Sequence, residues 1–224
     1  MKIADSGTHP LILALDTTNE TGSLALARGV QLLEEAEIAA PDGFSGILFQ
    51  QIETLLSRHE ARLADIDLYA AAAGPGSFTG VRVGLTAAKA LAEMHGRMVA
   101  AVSNLAAIVQ MANVIQPEGA ALLAPVVDAR RGEVAGAVYT REMKRVLEPS
   151  VGTPAEFAVR VAELGKALYC GPDAAAFAPS GAPYANTPPA LAAAIARLAF
   201  AGQGVDPAAA DAEYVRRADV RKPA

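Results

Sequence analysis

The chain has 224 residues, 52% hydrophobic and 19% charged, with a formal net charge of −5. That composition describes a folded chain able to bury a sizeable core, and it excludes disorder and a strongly basic nucleic-acid binder. Aromatics are 5% with no Trp, against a base-stacking surface, and no apolar run approaches the ~20 residues of a membrane span.

The opening residues, MKIADSGTHP, lack the apolar stretch of a signal peptide and read as an extension before the first strand. Residues 11–18, LILALDTT, form a β-type run ending in Asp16, Thr17 and Thr18. GSLALAR, residues 22–28, reads as its antiparallel partner across the turn-like TTNET. VQLLEEAEI fits a third strand better than a short helix. Residues 41–61, PDGFSGILFQQIETLLSRHEA, predict an amphipathic helix with Phe44, Leu48, Ile52, Leu55 and Leu56 at helical spacing and Ser45 or Asp42 as its cap. IDLYAAAA is a strand feeding GPGSFTG, and the next helix runs to about His95. RMVAAVS is a strand and NLAAIVQMANVI a helix.

QPEG, residues 116–119, reads as a break. Residues 121–140 then predict two strands joined by a tight polar turn at 128–132. Thr153 and Pro154 open a helix as N-cap and first helical position. KALYCG is a strand, PSGAPYANTPP a loop, and ALAAAIARLAFAG a helix stopped by Gly202; AEYVRRADVRKPA is a basic tail. The pattern is an α/β chain of two lobes, each with a mixed sheet, residues 1–105 and 106–224.

Three features could carry chemistry. In GPGSFTG the glycines stand at 74, 76 and 80. A dinucleotide fingerprint needs the third glycine one position earlier, and a Walker A loop needs the missing Gly-Lys-Ser/Thr. Gly80, Gly84, Ala88 and Ala92 recur every fourth residue. That small-residue face either packs on its own sheet or meets another helix. Asp16, closing a buried strand before a Thr- and Gly-rich hairpin, is either a local cap or part of a phosphate loop of the actin-like and sugar-kinase type. The histidines, His9, His59 and His95, have no i, i+4 pairing, so neither a metal site nor a catalytic triad is expected. The lone Cys170 reads as a small core residue in a reducing, cytoplasmic setting. DARRGE, residues 128–133, reads as a solvated hairpin turn.

AAGPGSFTGVRVGLTAAKALA resembles the signature of the TsaB (YeaZ) family. LALDTTNETGSLAL, VVDARRGEVAGAVY and AEYVRR resemble three further family segments in the same order, so the resemblance spans residues 11–217. It implies the two-lobed actin-like ATPase fold (ASKHA, ribonuclease H-like). It implies a non-catalytic scaffold or activating subunit, working with a TsaD-like transferase and a TsaE-like ATPase. Their product is N6-threonylcarbamoyladenosine at position 37 of tRNAs that read codons starting with A. ATP and metal would belong to those partners, none being bound by this chain alone, and tRNA would be met through the complex, away from any membrane.

The implied partner or homodimer surface lies on the two N-lobe helices: Phe44, Ile47, Leu48, Gln51, Ile52 and Leu55, with Gly76, Ser77, Phe78, Thr79, Gly80, Arg82, Val83 and Gly84. Asp16, Thr17 and Thr18 would be a vestigial nucleotide site. The chain departs from the family pattern at Phe44, where a His is common, at Gln50 in place of Pro, and at Ala212 in place of Pro. The alternatives are a stand-alone ATPase or small-molecule kinase of the same fold and, last, a glycoprotease-type peptidase.

Overall fold

The computed structural model describes residues 9–202 and 204–215; the expected N-terminal extension up to residue 8, and the basic tail from residue 216, lie outside the described residues. Two compact units divide the chain. The first comprises Met1–Ala73, Ser77–Val102 and Ala190–Ala212, the second Gly74–Gly76, Ser103–Pro189 and Glu213–Ala224.

In the first unit, β1 (Leu11–Asp16), β2 (Thr21–Arg28) and β3 (Gln31–Ala39) form an antiparallel meander, and β4 (Leu68–Gly74) lies parallel to β1 on its other side. With β5 (Met98–Ser103) the sheet order is β3-β2-β1-β4-β5. All six residues of β1 are buried, so the strand reads as an unbroken apolar run instead of an alternation. One face of the sheet, carrying Leu11, Leu13, Leu15, Leu24 and Leu26, shares a core with α1 (Leu48–Arg58) and α2 (Phe78–His95). The strand period of two turns Asp16 to the opposite face, where α6 (Ala192–Gly202) packs on β1 and β2.

The second unit repeats the wiring. An antiparallel meander of β6 (Leu122–Arg130), β7 (Glu133–Thr140) and β8 (Arg145–Gly152) takes β9 (Ala167–Gly171) and β10 (Tyr184–Asn186) in parallel beside β6. Its helices are α3 (Asn104–Ile115), α4 (Pro154–Leu164) and the single turn α5 (Ala174–Phe177). Two sheets of one strand order, each a meander with a parallel strand beside its first strand, make this the actin-like, ribonuclease H-like fold.

The structure departs from the sequence expectations in four places. α1 starts at Leu48, not Phe44, and no side chain caps it. The preceding loop turns at Gly43 (φ 90°), and Phe44 packs its ring against Gly22 instead of joining the helix. β8 was not anticipated: RVLEPSVG carries charges and a proline, and its pairing with β7 alone makes it a strand. β10 lies inside the expected loop PSGAPYANTPP and α5 in the stretch before it, for which no element is expected, each too short to leave a period. Finally, Ala190–Ala212 belongs to the first unit instead of ending the second lobe, because α6 buries its Ala- and Ile-lined face on β1 and β2.

Candidate interaction site on the first unit

The turn after β1 is built from Asp16, Thr17 and Thr18, all at most 2% exposed. Asp16 Oδ1 accepts from the Thr18 amide (3.0 Å) and the Thr18 hydroxyl (2.6 Å). The Thr17 hydroxyl donates to the Gly80 carbonyl at 2.7 Å, and the Ser77 amide donates to the Thr18 carbonyl at 2.8 Å. The first turn of α2 is therefore seated directly on this loop. A Cβ at Gly80 would lie 2.0 Å from the Thr17 carbonyl oxygen, and one at Gly84 2.5 Å from Thr17 Oγ1. Ser77 caps the helix by accepting from the Gly80 amide, and Gly96, at φ 63°, ends it in the left-handed conformation.

The three residues expected as a vestigial nucleotide site thus do not fit a phosphate cradle in this conformation. Their hydroxyls and one carboxylate oxygen are bonded within the protein, and α2 covers Thr17. Asp16 Oδ2 is buried without a hydrogen-bond partner. Burial, opposed by the Thr18 bonds and reinforced by the charge of Glu35, pushes the Asp16 carboxyl up from 3.8 to about 6. Around it the amides that open α6 meet strand side chains: Ala192 N donates to Ser23 Oγ (3.0 Å) and Ala193 N to Glu35 Oε1 (2.8 Å). Two strands, β2 and β3, thereby cap a helix more than 150 residues later in the chain.

Once α1 and α2 are fixed on the sheet, the expected interface residues separate. Phe44, Leu48, Ile52 and Leu55 are at most 5% exposed and belong to the core. Gly80 and Gly84 face Thr17, so the small-residue stripe is spent on internal packing and the expectation that it presents the helix to a partner is corrected. Ile47, Gln51 and Val83 are half-buried, while Gly76, Ser77, Phe78, Thr79 and Arg82 are exposed. The Arg82 guanidinium lies 3.8 Å over the Phe78 ring. Sequence reasoning missed Phe49, 51% exposed in α1. Its signal was available: it is the aromatic off the stripe formed by residues 48, 52, 55 and 56.

Cys170 is buried in β9 and its thiol is pushed up to about 12, as a core residue requires. Among the described residues no group of three His, Cys, Asp or Glu side chains is placed to hold a metal ion. No described helix is long and apolar enough to cross a membrane. The residues of DARRGE form the β6–β7 hairpin, with Arg130 and Arg131 at positive φ and Asp128 Oδ1 accepting from the Arg130 amide.

A family model described as "TsaD: tRNA N6-adenosine threonylcarbamoyltransferase" matches residues 38–215. The chain belongs to this family, in its TsaB/YeaZ branch. The tRNA threonylcarbamoyladenosine biosynthesis protein TsaB of Bacillus subtilis (strain 168) is 36% identical over 128 residues, covering 57% of this chain and 54% of that protein. The protein of the same name from Escherichia coli (strain K12) is 34% identical over 149 residues, covering 62% and 63%. The match thus spans less than two thirds of these curated relatives. The solved structure of YeaZ from Pseudomonas aeruginosa superposes with a TM-score of 0.77 at 28% identity, covering 92% of this chain and 99% of that one. A second crystal structure, of a protein with similarity to peptidase YEAZ from the same organism, gives 0.78 at 29%, covering 92% and 100%. The branch is carried by structure over nearly the whole chain and by sequence over little more than half of it.

Proposed function

We propose that this chain is a non-catalytic subunit needed to form N6-threonylcarbamoyladenosine at position 37 of tRNAs reading codons that start with A. It would dock a TsaD-type transferase, with a TsaE-type ATPase completing the set, and would carry no ATP or metal of its own. The observation that carries this reading is the use made of the Asp16–Thr18 turn. Where the fold offers a phosphate loop, this chain bonds the loop to the start of α2. The same seating leaves Phe78, Thr79 and Arg82 outward on α2, and Phe49 outward on α1. Exposed aromatics beside an arginine are the residue types that dominate protein interfaces. A second copy of the chain could use the same surface.

The test is reconstitution. TsaD-type and TsaE-type proteins, tRNA, ATP, threonine and bicarbonate are combined with and without this chain, and the modified nucleoside is measured. Product is expected only in the complete mixture, and this chain alone should yield none. A mixture that works equally well without it ends the proposal. Phe49→Ser and Phe78→Ser should each weaken capture of the TsaD-type protein by about tenfold or more while leaving the chain folded.

The stand-alone ATPase or kinase reading has one observation on its side, the unpartnered Asp16 Oδ2. Micromolar ATP binding by the isolated chain, with turnover lost in Asp16→Ala, would establish it. For a peptidase the buried, weakly acidic Cys170 thiol is the opposite of an activated nucleophile.

A further inference from the structure

The loop between β4 and α2 is held by a side chain from a distant part of the sequence. Asn104, the first residue of α3, is 2% exposed. Its Oδ1 accepts from the Gly74 amide at 3.2 Å, and its Nδ2 donates to the Pro75 carbonyl at 3.1 Å. The amide side chain thus closes a two-point clamp on the backbone of consecutive residues, using one donor and one acceptor in the only orientation that satisfies both. Gly74 lies at φ 102°, a conformation that glycine reaches freely among many others, so its own backbone does not select it. Gly76, the next residue but one, is exposed. Asn104 opens α3, and both of these side-chain bonds reach out of its own helix to the loop.

We propose that Asn104 is the positioning residue of the Gly74–Gly76 loop, and that this loop must be held in one shape for the chain to dock its partner. The second half rests on the assembly reading given under Proposed function. Asn104 itself touches no partner. It acts by removing conformations that the glycines would otherwise sample, so that ordering the loop is not charged to the docking step. Only an amide can do this at one site. Aspartate keeps the acceptor for Gly74 but sets a carboxylate against the Pro75 carbonyl, and alanine loses both bonds.

The experiment uses the full-length chain and its Asn104→Ala and Asn104→Asp variants. Two readouts are taken: amide hydrogen exchange and the Gly74 ¹H–¹⁵N resonance, and affinity for the TsaD-type protein. In Asn104→Ala, exchange at Gly74, Gly76 and Ser77 is expected to accelerate about tenfold or more, with the Gly74 amide resonance shifted. Exchange in β6 and β7 should be unchanged, and affinity should fall about tenfold. Asn104→Asp should retain the Gly74 resonance and loosen only the Pro75 side, with an intermediate affinity. That graded pair also guards against a variant that does not fold. Loop exchange equal to wild type in both variants overturns the clamp. A loosened loop with wild-type affinity overturns its role in docking. If the wild-type chain does not bind the TsaD-type protein, the assembly reading fails and the docking role with it, while the exchange data still decide the clamp.

Discussion

Asp16 shows what a buried carboxyl costs a fold. Its carboxyl is fully buried, accepts two bonds from Thr18, and is pushed up to about 6. For an acid whose folded pKa lies above the unfolded 3.8, the fold favours the protonated form. The associated stability is complete below 3.8 and is lost as pH rises through about 6. At neutral pH the ionised carboxylate costs the fold on the order of 3 kcal/mol. Asp16→Asn keeps an acceptor for Thr18 and removes the charge. It should therefore be more stable than wild type by roughly 1–3 kcal/mol at pH 7.5, and the gap should close toward pH 4. Urea unfolding of both proteins at the two pH values checks this, and parallel stability across the range would refute it. Gly80 sits at the same junction. Gly80→Ala drives a methyl into the Thr17 backbone carbonyl, which cannot swing aside, and should cost at least the ~1–3 kcal/mol of core overpacking. Gly46→Ala, which meets nothing within 4 Å, should change stability by less than about 0.5 kcal/mol.

At the scale of elements, α4 and α6 use opposite means to the same end. α4 is capped from within: Thr153 Oγ1 accepts from the Glu156 amide, and Glu156 accepts from the Thr153 amide, with Pro154 at the first position. That box was readable because every member lies within four residues. Thr153→Ala should cost about 1 kcal/mol, seen as a lower denaturant midpoint with an unchanged slope. α6 is capped by Ser23 and Glu35, and nothing in the sequence around residue 192 announces them. β8 and β10 were hidden for a related reason. Edge strands take their pairing from one neighbour and tolerate proline and charge, so their sequences carry little periodic signal.

At the scale of the whole molecule, the chain folds into two units that do not follow chain order, since the segment Ala190–Ala212 returns to the first. A chain ending at residue 189 should lose protection from hydrogen exchange in β1 and β2, whose face α6 covers, while β6, β7 and β9 stay protected. Loss of protection in the second sheet instead would contradict the division. Cys170, buried in β9, should react with a thiol reagent only as fast as the second unit opens.

By itself the sequence determined the local structure wherever periodicity or a cap lies within a few residues. The β1–β2–β3 meander, α2 from Phe78 to His95, the Thr153 cap and the end of α6 at Gly202 are of this kind. The family-like segments were legible for the same reason, being short and contiguous. Only the tertiary structure decided which face of each element is spent. Periodicity marked residues 44, 48, 52 and 55, and the spacing of four marked Gly80 and Gly84, but neither pattern says whether its neighbour is the chain's own sheet or another protein. The Thr17 carbonyl, 2.0 Å from where a Gly80 side chain would begin, answers that for α2. Close packing admits one occupant, and that occupant comes from more than sixty residues away.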